Sequence, residues 1–149
     1  MVTGAGVLLK MKCGLVVIRH IVRLMKQHYL NGVSALHVYE YQKLAARTLI
    51  NEPDNEYNST ELMLLWDAMG LAGETGEVCD IIKKFVFHRH SLDLLNLTKE
   101  LGDVLWYVAA LCSTLGISIS SVMEMNISKL QTRYPDGYSS ERSINREME

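Results

Sequence analysis

Four acids in two pairs, Glu74 with Glu77 and Glu100 with Asp103, have the type and spacing for metal-assisted chemistry. The members of each pair stand three residues apart, in LAGETGEVCDIIKK and in LTKELGDVLWY, and both stretches read as helix. Three residues turn a helix through about 300°, so paired carboxylates lie roughly 60° apart and roughly 4.5 Å along the axis. Both can face one point. Steps of four and three from Glu74 reach Val78, Ile81 and Phe85, and from Glu100 they reach Val104, Tyr107 and Leu111. Each pair therefore opens a stripe that is otherwise apolar, whereas a solvated acidic face would lie opposite such a stripe. A half-buried carboxylate without a partner protonates or finds a cation. Four of them converging would repel one another, and a hard divalent cation with oxygen ligands, Mg²⁺ or Mn²⁺, is the natural occupant.

The elements that must position these acids are helical. Gly70, Gly73 and Gly76 recur every third residue inside the first acid stretch, each at about 1 kcal/mol relative to Ala in a helix interior, so close packing or a ligand is expected there. A first helix is predicted over HVYEYQKLAARTLI, with Val38, Tyr41, Leu44, Ala45, Thr48 and Leu49 at helical spacing, ending before the loop NEPDNEYNST. Ser59 or Thr60 can cap a second helix running to about His88. Ser91 is the expected cap of a third, whose stripe of Leu94, Leu101, Leu105, Val108, Cys112 and Leu115 reads as core and which Gly116 closes. A fourth runs from about Ser118 through ISSVMEMNISKLQTRY and stops at Pro135 and Gly137, before a polar tail. The fold class is all-α, a four-helix bundle. Apolar residues on more than one side of the second and third helices predict a homo-oligomer, most simply a dimer.

The chain has 149 residues, 48% apolar but only 7% aromatic, with 2 Pro, which suits helices in one domain with a real core. Residues 1 to 35 form a basic extension and residues 36 to 149 the body. Residues 1 to 39 hold Lys10, Lys12, Arg19, Arg23 and Lys26 and no acid, leaving the rest with 10 bases against all 17 acids, a net of −7. An acidic body without a basic groove excludes a general binder of nucleic-acid polymers. From Leu15 to Leu30 the extension is amphipathic, with Ile18, Ile21, Val22, Met25 and Tyr29 on one side. Its apolar run is broken by charge too early for stable membrane insertion. It reads as an extra N-terminal docking helix, a surface or targeting segment, or upstream sequence. Cys13, Cys79 and Cys112 lack metal-ligand spacing and read as buried free thiols of a reducing compartment, the cytoplasm. His88 and His90 sit at a helix end and do not share a helical face.

ExxE in LAGETGEVCD, a gap of 22 residues, ExxD in KELGDVLWY and then NISKLQTRYPDGYS together resemble the MazG-like all-alpha nucleotide pyrophosphohydrolases over roughly Tyr39 to Arg146. The resemblance implies a bundle that dimerises, or pairs dimers into a tetramer, and hydrolyses nucleoside triphosphates to monophosphate and pyrophosphate with Mg²⁺. It makes Glu74, Glu77, Glu100 and Asp103 the metal-binding and catalytic carboxylates, and brings Asn126, Lys129, Arg133 and Tyr134 to the phosphates. Some relatives place a lysine a full turn ahead of the second acid pair, where this chain has Asn96; Lys99, abutting Glu100, is the candidate phosphate ligand instead.

The chemistry of the residues agrees. A triphosphate carries roughly four negative charges, so an acidic site binds it only through cations that also acidify a bound water. One carboxylate, Glu74 or Glu77, is a candidate proton acceptor. Lys129 and Arg133 lie four apart and can reach one side to hold pyrophosphate, or form an ordinary solvated face. Asp80 could extend the ligand set or pair with Lys83 or Lys84. Trp66, Tyr41 and Trp106 could stack a base, though aromatics at helical spacing more often form core. A di-iron bundle would want Glu-x-x-His pairs, but Asp80 and Trp106 stand where the imidazoles belong. A catalytically silent helical oligomer that binds nucleotide or a protein partner is the remaining alternative.

Overall fold

The computed structural model describes Arg23, residues 36–50 and residues 59–145. The expected helix over Leu15 to Leu30, Cys13, most of the loop after Ile50 and the last four residues lie outside the described residues. All the helices considered below belong to the unit His37–Glu149.

The first helix, α1 (Val38–Ala45), is shorter than expected: it tightens into a 3₁₀ turn, Ala46–Thr48, and Leu49 is extended. Thr48 explains the early stop. Its hydroxyl donates to the Ala45 carbonyl at 2.9 Å and accepts from the Trp106 indole N–H at 2.8 Å, giving the backbone an alternative to a further α turn. The second helix, α2 (Thr60–Phe87), is capped by Ser59, whose Oγ accepts from the Leu62 N–H at 3.3 Å. It ends through Arg89, which takes a left-handed φ of 60° and lets the His90 N–H return to the Lys84 carbonyl at 3.2 Å.

Helix α3 (Leu94–Thr114) is capped by Asp93 rather than Ser91: Asp93 Oδ1 accepts from the Asn96 N–H at 3.0 Å, and its charge suits a helix N-terminus. Its end is a Schellman turn with Gly116 at φ 67°, Ile117 N–H on the Cys112 carbonyl at 2.9 Å and Gly116 N–H on that of Ser113 at 3.1 Å. After this turn α4 (Ile119–Arg133), capped by Ser118, leaves through a bend of 105°. The polar tail adds a short helix not expected from its composition, α5 (Ser140–Ile144), nucleated by Ser139 accepting from the Arg142 N–H.

The fold is all-α, with no strand among the described residues. Helices α2 and α3 form an antiparallel pair, as Asp67 meeting Thr114 and Gly70 meeting Tyr107 show. Helix α1 lies across α3. The Gln42 amide joins it to the next turn, donating to the Ile117 carbonyl at 2.9 Å and accepting from the Ile119 N–H at 2.9 Å. No single helix among the described residues is long and apolar enough to cross a membrane; α3 and α4 reach that length and composition only as a bent pair.

The core takes in Val108 and Cys112 of the expected α3 stripe but not Leu101, Leu105 or Leu115. Ala45, Ala109, Cys112 and Ile119 are buried, with Val38, Tyr41, Trp106 and Val108 packed around them. Leu101, Leu105 and Leu115 are instead 47%, 52% and 54% exposed. Small side chains at Ala45 and Ala109 let α1 approach that face of α3 closely, and the leucines face away from the contact. Cys79, read as buried, is exposed because α3 covers only one side of α2, whereas Cys112 is buried and its thiol pushed up by desolvation.

Candidate metal-binding site

Three of the four acids meet where α2 and α3 run side by side, while Asp103 is exposed and stands outside the set. Ligand oxygens of Glu74, Glu77 and Glu100 lie within 4.8 Å of one another. Glu74 and Glu100 are half-buried between the helices, and Glu77 opens to solvent. Asp103 joins them through its field: it is the strongest of the charges acting on Glu74, ahead of Glu77 and Glu100. Desolvation raises the Glu74 pKa first, these three like charges raise it further, and a hydrogen bond with Glu100 adds to the effect. Such a set of hard oxygen donors, repelling one another as they stand, fits a divalent cation of the Mg²⁺ or Mn²⁺ kind.

A pH dependence follows with a definite sign. Raised proton affinity means that Glu74 keeps a proton above the ordinary glutamate range, and a cation must displace it. Apparent Mn²⁺ affinity is therefore expected to be full at neutral pH and to fall on acidification, beginning above the ordinary glutamate value of 4.5. The metal-free protein should respond in the opposite sense, gaining stability as pH falls through the same window because protonation relieves the repulsion. Melting curves at several pH values, with and without Mn²⁺, measure both slopes.

Asp80 is drawn away from the cluster. Lys83 and Lys84 each hold one of its oxygens at 2.5 Å and lower its pKa to about 2. Both lysines are thereby engaged on the helix surface. Lys99 is exposed beside Glu100. On α4, Asn126 and Lys129 are exposed and make no hydrogen bond or ion pair with the acids, while Arg133 is half-buried beside Tyr134, whose ring centroid lies 5.7 Å from that of Tyr138. Of the aromatics, Tyr41 and Trp106 pack on the core, and Trp66 is 57% exposed.

Tyr41, weighed for base stacking, and Asp67, not singled out in the sequence, make further contacts with α3. Tyr41 Oη donates to the Gly102 carbonyl at 3.5 Å, between the two α3 acids, and burial first and the Asp103 charge second raise its pKa. Asp67 is 2% exposed and accepts from the Thr114 hydroxyl at 2.9 Å. Desolvation raises its pKa, which that hydrogen bond partly offsets. A signal for Asp67 was present: it stands seven residues before Glu74, two helical turns back on the same face.

Comparison with known proteins bears on this geometry. The MazG nucleotide pyrophosphohydrolase domain matches residues 67–138, which include both acid pairs, most of α2 and all of α3 and α4. A Mycobacterium phage L5 protein, named only Gene 37 protein, is 37% identical over 106 residues, covering 68% of this chain and 92% of the relative. No solved structure gives a significant match. With the family's domain laid over the helices that bring these acids together, and a relative matched over nearly its whole length, the chain belongs to the MazG nucleotide pyrophosphohydrolase family.

Proposed function

We propose that this protein is a metal-dependent pyrophosphohydrolase that converts a nucleoside triphosphate, ribo or deoxyribo, to the monophosphate and pyrophosphate. The observation that carries the reading is the convergence of Glu74, Glu77 and Glu100 between two helices, with the charge of Asp103 beside them. These four carboxylates would hold Mg²⁺, with Mn²⁺ as a substitute; when bound, the cation neutralises polyphosphate oxygens and acidifies water for attack at the α phosphorus. The proton acceptor is assigned to one of the two α2 acids, Glu74 or Glu77. Lys99, Asn126, Lys129, Arg133 and Tyr134 supply phosphate contacts, Lys129 and Arg133 reaching one side of α4 to hold the leaving pyrophosphate.

A homo-oligomer, a dimer or tetramer acting in the cytoplasm, completes the proposal. Much of α4 is uncovered in the single chain, with Met125 75% and Ile127 53% exposed, and on α2 Met69 is 66% exposed. Apolar surface on that scale is better buried against a second copy than left in water. Assembly would also bring a partner's Lys129 within reach of acids that the chain's own Lys129 leaves uncontacted.

A panel of ribo- and deoxyribonucleoside triphosphates with Mg²⁺, scored for pyrophosphate against orthophosphate, tests the function. Pyrophosphate and monophosphate are the expected products, lost on addition of chelator. Orthophosphate with a diphosphate left behind would move the attack to another phosphorus and overturn the bond assignment. Binding without turnover would instead identify a silent nucleotide-binding oligomer.

A further inference from the structure

We propose that Asp67 and Thr114 act as a register pin, positioning residues that hold α2 and α3 at the offset where Glu74, Glu77 and Glu100 meet. The inference rests on the metal-binding reading above. Asp67 is the one buried charged residue among the described residues. A carboxylate taken out of water with a single hydroxyl donor is a poor source of stability, so its contribution has to be sought in specificity of pairing.

Beside the acids, Gly70 brings no side chain of its own to α3, so interlocking at that point rests on Tyr107 seated against it. A slip of one turn moves a helix by about 5.4 Å, enough to take Glu74 and Glu77 away from Glu100. Without a cation, repulsion among the acids favours that slip. Outside the acid cluster, Thr114 Oγ1 to Asp67 Oδ2, at 2.9 Å, is the one side-chain hydrogen bond joining α2 to α3 among the described residues. A slipped register would leave Asp67 buried without this donor, and the alternative register is penalised accordingly. Tyr107 seated on Gly70 supports the same offset, one turn nearer the acids.

The test measures Mn²⁺ binding to the full chain by the electron paramagnetic resonance signal of free Mn²⁺, with folding followed by circular dichroism. Thr114→Val keeps the shape and removes the donor, and Asp67→Ala removes the acceptor. Each is expected to weaken Mn²⁺ binding about tenfold while the helices persist, and the double variant to lose no more than either alone. Asp67→Asn, which retains an acceptor oxygen, should restore most of the affinity. A merely structural role would lower the melting temperature and leave the folded protein's affinity for Mn²⁺ unchanged. Wild-type affinity in folded Thr114→Val, or an Asp67→Asn as weak as Asp67→Ala, overturns the pin. Absence of Mn²⁺ binding in the unaltered protein overturns the functional reading itself, which Glu77→Gln, a change at a proposed ligand, serves to separate.

Discussion

Glu100→Gln is expected to reduce turnover by at least ~100-fold and to raise the melting temperature of the metal-free protein. Loss of a group that merely orients a metal ligand commonly costs about 10- to 100-fold in affinity or activity, and loss of a ligand should exceed that range. The substitution keeps size and one acceptor oxygen but removes a charge from a set in which three carboxylates already lie within 4.8 Å. It also removes one of the charges that raise the proton affinity of Glu74. The Glu74 pKa should therefore ease back, and the metal-free helices should pack with less repulsion. Activity and stability move in opposite directions only if the acids are gathered for a cation. A solvated cluster would show little change in either quantity, and that result in turnover and melting assays would refute the assignment.

The acids were legible in the sequence because their signal is local: three-residue spacing on a helix, at the head of a stripe that is otherwise apolar. Helix ends were legible for a similar reason, since Ser59, Ser118 and Gly116 have single-residue chemistry that fixes a terminus. Elsewhere the local signal was incomplete. Ser91 read as the cap of α3, but Asp93, whose charge suits a helix N-terminus, took it. Thr48 read as one more helical position, but the indole of Trp106, 58 residues away, holds its hydroxyl and closes the helix early. Periodicity on α3 correctly indicated a helix and placed Val108 and Cys112 in the core, but Leu101, Leu105 and Leu115 lie outside it. The crossing α1 covers Ala109 beside that stripe, and a hydropathy pattern does not say how far around an apolar helix a neighbour will reach. Asp67 was passed over because an isolated aspartate near a helix start reads as solvated until a partner from another helix is placed against it.

The three α2 glycines, identical in the sequence pattern, are expected to respond to alanine with opposite signs. Alanine is better than glycine in a helix interior by about 1 kcal/mol, so a substitution into open space should stabilise by roughly that amount. At Gly73 and Gly76 a new Cβ meets nothing within 4 Å. At Gly70 it would lie 2.1 Å from Tyr107 Cε1 and 2.7 Å from its hydroxyl. The ring would have to leave its seat or α2 would have to move, and such overpacking typically costs about 1–3 kcal/mol. That exceeds the gain in propensity, so Gly70→Ala is expected to melt lower than the unaltered chain and to bind Mn²⁺ more weakly, because separating the helices separates the acids. Combining it with Tyr107→Ala should recover part of the loss, a coupling that two independent defects would not show. If Gly73→Ala and Gly76→Ala also destabilise, and do so only at concentrations where copies associate, then a second copy closes on that face of α2. Melting temperature against protein concentration for the three single variants separates packing within the chain from packing between chains.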